Sequence, residues 1–359
     1  MDTKKLDFLD GIRGWGAMVV LLFHLFVDGL PVTYESTLLL ELMFFFNGTL
    51  AVWVFFIVSG FSLSIGFTRT HDRSALLRTA CGRYLRLALP ILAFSLLMTL
   101  MMHLGWVPPV ADRPSRYQIF LLTPPSLTDA LSFSSWRVFF DYRDETSILP
   151  PLWTMPIELF GSFCVLGLCF FAGTHRLKPV IYTLAAIVTA AVDLYFTAFM
   201  IGLAFGEIYE LQRSRSFRIP SWASLGAWVL GVILASKLPE AGKSLYLVVS
   251  TLLFFGMAFS SPIRRWFETP LSKFFGRISF TLYLLHPILI FSFSLSLLPL
   301  LQSRGSDEYP WWILCINLAT VILSVALSVP LTWIDRVSIR LAKAFSNLVC
   351  SSFFRRYTR

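Results

Sequence analysis

The first apolar run of the chain reads Leu9-Asp10-Gly11-Ile12-Arg13-Gly14-Trp15-Gly16-Ala17-Met18-Val19-Val20-Leu21-Leu22-Phe23-His24, or LDGIRGWGAMVVLLFH. The run is apolar enough to form a membrane-spanning helix, yet it carries Arg13 at its start and His24 in its middle. An ionisable side chain is costly in lipid, so it is expected to face the interior of a helix bundle or a wet cavity. This stretch therefore predicts both a membrane helix and a functional site.

The whole chain has the composition of a membrane protein, because 56% of its 359 residues are hydrophobic and only 14% are charged. A spanning helix needs about 20 residues, so this length holds about ten spans and no additional soluble domain. The apolar windows are 12–30, 50–67, 85–105, 152–171, 179–192, 195–211, 221–236, 244–259, 278–301 and 311–333. We therefore predict an all-α fold, a polytopic membrane helix bundle of about ten transmembrane helices. The even count requires two helices in 179–211, and Leu38–Phe46 is too short to span, which favours a re-entrant or interfacial segment.

The basic residues predict the orientation, because cytoplasmic loops accumulate Lys and Arg. With the N-terminus inside, only seven of the 30 basic residues fall in outer loops. These seven are Arg113, Arg116, Arg137, Arg143, Lys237, Lys243 and Arg304. Both termini are thus predicted to be cytoplasmic, and residues 1–359 to form a single membrane domain with a basic cytoplasmic tail over 337–359. The net charge of +9 then faces anionic lipid headgroups, so no nucleic-acid partner is predicted.

Other sequence features exclude or limit several classes. Lys4 and Lys5 precede the first apolar run as in a signal sequence, but no cleavage site of small residues follows, so we expect a retained first helix. The five cysteines have the spacing of neither a disulfide framework nor a zinc site, and no metal site is predicted. The long outer loop Trp106–Pro151 contains an amphipathic stretch, Leu127–Phe140, and is a candidate cap for an outward-facing cavity.

Three ionisable residues are predicted at similar depths in the membrane. Arg13 and His24 are 11 residues apart, which is close to three helical turns, so both share one face with His24 about 16 Å deeper. His286 is about 12 Å into a span that starts at the cytoplasmic side, and Glu158 is about 9 Å below the outer face. We expect His24, His286 and Glu158 to line one polar cavity. In the structural alternatives, Arg13 is an interfacial anchor, His24 makes an interhelical hydrogen bond, and Glu158 pairs with an outer-loop arginine such as Arg137 or Arg143.

A basic pair at the start of the third span adds a possible anion site. Arg83 and Arg86 are three residues apart and therefore lie on one helix face. Guanidinium groups make multidentate contacts with phosphates, so this pair is either a topology signal or a phosphate cradle.

These residues resemble the acyltransferase-3 family of multi-pass membrane O-acyltransferases over nearly the whole chain. The shared features are the pair Arg13 and His24, FFIVSGF with Ser59-Gly60-Phe61, RYLRLALP from Arg83 to Pro90, PLWTMPIEL with Trp153 and Glu158, FMIGLAFGE around Gly202, and FGRISFTLYLLHP from Phe275 to Pro287. The form LWTMPIE is more similar to the fungal branch. Where the family often has a Glu-x-Pro-like turn after its last core helix, this chain has Trp333-Ile334-Asp335-Arg336-Val337.

The resemblance implies transfer of an acyl group, most often acetyl, from cytoplasmic acyl-CoA to a hydroxyl of a carbohydrate or small-molecule acceptor, which includes secondary metabolites. A neutral imidazole suits the removal of the hydroxyl proton, so His24 is the expected general base, with Glu158 and His286 as further catalytic candidates. Arg13, Arg83 and Arg86 are the acyl-CoA-binding candidates. Acyl-CoA is a co-substrate, and no bound cofactor is expected. A fungal member would reside in an endomembrane or the plasma membrane.

Two other classes compete with an enzyme. A transporter or proton-coupled carrier also carries ionisable groups and broken helices at the membrane midplane, although no inverted repeat is visible in this sequence. A structural or sensory membrane protein without catalysis is disfavoured by the joint presence of Arg13 and His24.

Overall fold

A computed structural model describes residues 6–28, 44–108, 123–214, 218–238, 242–297 and 309–357 of the chain. Within these ranges the protein consists of helices and turns, with no β-strand. The principal helices are α1 Asp7–Phe23, α2 Gly48–Thr70, α3 Arg73–His103, α4 Met155–Ala172, α5 Lys178–Val192, α6 Leu194–Arg213, α7 Ser221–Ala235, α8 Lys243–Phe259, α9 Ser261–Phe267, α10 Pro270–Leu289 and α11 Tyr309–Tyr357. The predicted all-α membrane bundle is confirmed.

Each of the ten apolar windows overlaps a helix, but the helices differ in length. Among the described residues, seven are long and apolar enough to cross a membrane, and an eighth span is formed if α8 and α9, bent by 88°, count as one. Helices α5 and α7 have only 15 residues each, about 22 Å, which is shorter than a bilayer core of about 30 Å. Residues 179–211 do divide into two helices, at Asp193. The count of ten and the side of each terminus remain predictions.

Helices α1 and α10 run parallel in direct backbone contact. A Cβ on Gly14 would lie 2.4 Å from the backbone nitrogen of Gly276, and one on Gly276 would lie 2.5 Å from the Asp10 carbonyl oxygen, so only glycine allows this approach. The two N-terminal ends are joined by an ion pair of 2.6 Å between Lys273 Nζ and an Asp7 carboxylate oxygen. Because Gly14 and Gly276 each precede a histidine by ten residues, the contact brings both histidines to the same level.

Helix α9, which follows α8 at a sharp bend, and the start of α10 pack against α1. The Trp15 ring stacks on Trp266 with centroids 4.7 Å apart, and Trp15 Nε1 donates a 3.0 Å hydrogen bond to Ser272 Oγ. A second close glycine contact joins α2 to α6, because a Cβ on Gly202 would lie 2.1 Å from the carbonyl oxygen of Ile57. The glycines of the quoted sequence motifs therefore set the helix spacing of the bundle core.

The segment between α3 and α4 does not lie wholly outside the bundle. Its described part forms short helical pieces, at Leu127–Ser132, Phe133–Arg137 and Val138–Phe140. The hydroxyl of Tyr84, about 16 Å along α3 from Arg73, donates to the Ser135 carbonyl oxygen. The segment therefore reaches the middle of α3. Among its described residues only Thr154, directly before α4, lines the large cavity of the bundle, and no described residue of the predicted cap Trp106–Pro151 does so. Most of the predicted piece Leu38–Phe46 lies outside the described residues; Phe44–Phe46 form one 3₁₀ turn.

The last helix is continuous through the predicted cytoplasmic tail. Helix α11 has 49 residues and extends from the span into 337–357 without a break. The tail portion packs along α3, where the Cys81 and Cys350 sulfur atoms are 3.9 Å apart and a Cβ on Gly82 would lie 3.1 Å from the Ala342 carbonyl oxygen. This packing holds Asp335 beside α3.

We predict that Gly14→Ala lowers the free energy of unfolding by about 1–3 kcal/mol, because the new methyl group meets backbone atoms of α10 that cannot move aside. Thermal unfolding in detergent measures the loss. Gly226→Ala is the matched control, since nothing lies within 4 Å of a Cβ at that helical glycine. The control is expected to be neutral or to stabilise by up to about 1 kcal/mol. Equal stability of the two variants would contradict the close contact.

Candidate active site

A cavity of about 790 Å³ opens into the bundle between α1, α2, α3, α4, α10 and α11. This volume is within the range of about 300–1,000 Å³ that is typical of ligand sites. Its ionisable lining consists of five arginines and three carboxylates, namely Arg13, Arg83, Arg86, Arg277, Arg336, Asp10, Glu158 and Asp335. A site with this charge is suited to an anionic ligand.

The most buried ion pair of the cavity joins Arg83 to Glu158. The Arg83 Nη2 group donates to Glu158 Oε1, and the two side chains are only 17% and 14% exposed. Ser59 Oγ donates a 2.9 Å hydrogen bond to the same carboxylate oxygen, and Arg83 Nε donates to Ser162 Oγ at 2.9 Å. Residues of three separate sequence motifs thus form one hydrogen-bonded cluster, in which both charges have partners.

Two further arginines of the cavity are held by carboxylates. Arg86 forms a two-point contact with Asp335 of α11, and its guanidinium lies 5.6 Å from the Phe280 ring centroid. Arg13 Nη2 donates to Ser62 Oγ at 2.8 Å, and its Nη1 is 3.8 Å from Asp10 Oδ1. The three predicted acyl-CoA-binding arginines therefore line one cavity and differ in how strongly they are neutralised.

The two histidines form a separate group beside this cavity. The rings of His24 and His286 stack with centroids 5.4 Å apart and planes inclined by 21°. His24 Nδ1 is 2.8 Å from Asp28 Oδ2, one turn further along the chain. A carboxylate accepts hydrogen bonds, so in neutral His24 the proton is on Nδ1 and the lone pair is on Nε2.

His286 is fully buried and its orientation is fixed by the backbone. Its Nδ1 donates a 3.0 Å hydrogen bond to the Leu282 carbonyl oxygen, which leaves a lone pair on Nε2. That Nε2 has no hydrogen-bond partner in the described part of the chain. A buried acceptor without a partner is unfavourable, so this position suits a ligand hydroxyl.

Each of the two helices that carry a histidine contains a π-helical turn, which begins at His24 in one helix and four residues after His286 in the other. A π-helical turn spans His24–Asp28 in the first helix and Ile290–Ser294 in the other. The Leu25 carbonyl oxygen in the first turn accepts a 3.1 Å hydrogen bond from Asn317 Nδ2 of α11. Such π-turns are frequent at functional sites, because they change the direction of side chains within a helix.

The expectation of one cavity shared by His24, His286 and Glu158 is wrong in part. Glu158 lines the 790 Å³ cavity, but neither histidine belongs to its described lining. Tyr283 borders both groups, since it lines the cavity and its ring centroid is 6.0 Å from that of His286. Helical spacing fixes the depth of a side chain but not its direction, and the carboxylate pairs with the permanent cation Arg83.

The alternative pairing of Glu158 with an outer-loop arginine is also wrong. Arg137 pairs with Asp129 and Arg143 pairs with Asp141, both within the α3–α4 segment. Sequence reasoning missed Asp28 and Tyr283. Asp28 is four residues after His24, a spacing that brings two side chains together on a helix, and this was the available signal. The hydroxyl of Tyr283 contacts Thr154 at 2.8 Å and donates to the Pro151 carbonyl oxygen, a contact across 132 positions that no local pattern indicates.

Comparison with known families identifies the class of the protein. A family model described as an acyltransferase domain, that of the acyltransferase-3 family, matches residues 6–329. The chain belongs to the acyltransferase-3 family. The protein is therefore an acyltransferase of the membrane-spanning type. All six predicted site residues lie within the matched range. Among curated proteins and solved structures, no significant match to the chain is found.

We predict strong coupling between Arg83 and Glu158 in the stability of this acyltransferase. Arg83→Ala and Glu158→Ala should each lower the free energy of unfolding by about 3–5 kcal/mol, because each leaves a buried charge without its partner. The double variant should lose clearly less than the sum, as measured by unfolding of all four proteins in detergent. The exposed pair Arg143 and Asp141 is the control, with a coupling below about 1 kcal/mol. Additive losses at Arg83 and Glu158 would rule out the pair.

Proposed function

We propose that this acyltransferase moves an acyl group, with acetyl as the expected one, from cytoplasmic acyl-CoA to a hydroxyl group of a carbohydrate or small-molecule acceptor. The observation that carries the proposal is the contact of His24 with Asp28 beside the buried His286. Hydroxyl acylation needs a base that removes the hydroxyl proton, and a neutral imidazole whose other nitrogen is hydrogen-bonded to a carboxylate can accept that proton.

In the proposed reaction, His24 Nε2 removes the proton of the acceptor hydroxyl while its oxygen attacks the thioester carbonyl carbon. The tetrahedral intermediate collapses, the carbon–sulfur bond breaks, and the CoA sulfur leaves with the proton that His24 returns. The product is an ester and free CoA. Asp28 keeps the proton on Nδ1 and stabilises the imidazolium that forms during the step.

The remaining predicted residues receive supporting roles in this proposal. The free Nε2 of His286 accepts a hydrogen bond from a hydroxyl of the acceptor. Arg13 orients the donor on the face of α1 that leads to His24. Arg83 and Arg86, whose charges are balanced by Glu158 and Asp335, provide N–H donors on the inner wall of the cavity. Glu158 acts by holding Arg83 in position. The acyl arm passes Tyr283 to reach His24, since Tyr283 borders both the cavity and the histidine pair.

We predict that His24→Ala lowers acyl transfer by about 10²- to 10⁴-fold, the range expected for loss of a general base. Release of free thiol from acetyl-CoA by the purified protein, with an extract containing acceptor, measures the rate. His103→Ala is the control, because His103 is exposed and its described contact is a backbone carbonyl within its own helix. Turnover of His24→Ala within a few-fold of the wild-type rate would remove His24 from the mechanism.

Asp28→Asn is expected to lower kcat by about 10- to 100-fold with an unchanged KM for acyl-CoA, since a hydrogen bond to a charged group contributes about 1.5–3 kcal/mol. Steady-state kinetics of the same thiol release provide both parameters. Asp28→Glu restores part of kcat if the carboxylate acts through His24. In the His24→Ala background, Asp28→Asn should have little further effect, and an independent loss there would contradict a shared function.

The acceptor can be identified by comparing metabolites and glycans of a strain that lacks the protein with those of its parent. The parent should contain a product that is heavier by one acyl group. A fungal origin would make an endomembrane or the plasma membrane the expected location.

A further inference from the structure

The ionisable lining of the cavity has a surplus of positive charge. Three of its five arginines have carboxylate neighbours, because Arg83 pairs with Glu158, Arg86 with Asp335, and Arg13 lies 3.8 Å from an Asp10 oxygen. These contacts use all three carboxylates of the lining. Two positive charges therefore remain.

The remaining charges belong to Arg277 and Arg336, which have no carboxylate partner in the described part of the chain. Arg277 follows Gly276 on α10, directly beside the close contact with α1, and its guanidinium lies 5.9 Å from the Phe274 ring centroid. Arg336 follows Asp335 on α11. Both side chains are exposed and line the cavity, so they lie where the cavity meets solvent.

We propose that Arg277 and Arg336 form a phosphate-binding site at the mouth of the cavity, which takes the phosphate groups of the CoA portion of the donor. The inference rests on the proposed function. An arginine binds phosphate through parallel N–H donors, and an arginine without a carboxylate keeps its full charge for the ligand. Arg83 and Arg86 would have to share or lose their carboxylates to do the same, which leaves buried charges uncompensated.

The position of the two arginines favours a soluble phosphate ester over the phosphate of a lipid headgroup. Exposed basic residues near a membrane surface often contact anionic lipids. Arg277 and Arg336, however, come from two different helices and line the same cavity, whose inner wall leads to the predicted catalytic residues. The tested ligand is therefore CoA, and anionic phospholipid is the competing source of phosphate.

The test measures the dissociation constant of CoA by calorimetry, with the full chain in nanodiscs of phosphatidylcholine. Arg277→Gln and Arg336→Gln should each weaken CoA binding by about tenfold, which corresponds to about one charge-assisted hydrogen bond. Arg277→Lys and Arg336→Lys should restore part of the affinity, since they keep the charge without the planar donors. The use of S-acetylpantetheine, which lacks the phosphates, as donor should be unaffected in all four variants.

Two matched controls separate a site from general surface charge. Arg340→Gln removes an exposed charge one turn further along α11, and Arg265→Gln removes one on α9; neither residue lines the cavity. Both should bind CoA like the wild type. Thermal unfolding verifies that the Gln and Lys variants of Arg277 and Arg336 remain folded. This is expected because neither Arg277 nor Arg336 holds a buried ion pair.

Several results would overturn the inference. Wild-type CoA affinity in Arg277→Gln and Arg336→Gln, or an equal loss in Arg340→Gln, would show that the two residues form no phosphate site while the proposed reaction stands. A loss seen only in nanodiscs that contain anionic phosphatidylserine would assign the residues to lipid headgroups. If the wild type neither binds CoA nor releases thiol from acetyl-CoA, the proposed function itself fails, and the phosphate site with it.

Discussion

The close backbone contact between α1 and α10 is the constraint on which the site depends. Because Gly14 and Gly276 have no side chains, the two helices approach until backbone atoms touch. The helices are parallel and share a spacing of ten residues between glycine and histidine, so the same contact stacks His24 on His286. It also brings Arg13 and Arg277 to neighbouring positions in the cavity lining. A wider separation of these helices would therefore part His24 from His286 and Arg13 from Arg277.

The all-α fold and the common level of His24 and His286 could be predicted from sequence because both depend on local periodicity. Each of the ten apolar windows overlaps a helix, and helical spacing placed His24 and His286 at similar depths. The number of complete spans was harder, because 15-residue helices such as Lys178–Val192 have the composition of a span without its length. The contact between the segment 123–151 and Tyr84 in the middle of α3 could not be predicted either, because a composition rich in proline and charge does not indicate where a segment packs.

The partners of the charged residues could not be predicted, because partner choice depends on directions that helical spacing leaves undefined. Glu158 pairs with Arg83 and not with a histidine, and Arg86 pairs with Asp335, which is 249 positions away in the sequence. Asp335 on α11 is the carboxylate partner of Arg86 in the cavity lining. The arginines that seemed equivalent in sequence therefore differ in available charge, and this difference defines two parts of one cavity, an inner neutralised part and an outer positive part.

The sequence distances in this architecture determine when the enzyme can be assembled during synthesis. Trp15 contacts Ser272 across 257 positions, and Asn317 completes the π-helical turn at Leu25 across 292. Helix α1 and the turn that follows it thus carry the Trp15 indole N–H and the Leu25 carbonyl group into the bilayer long before Ser272 and Asn317 are translated. Until then these polar groups must be sheltered by the insertion machinery, by water or by a chaperone, since lipid alone offers them no hydrogen bonds. A chain that ends before α10 therefore leaves these hydrogen-bonding groups without their partners inside the bilayer.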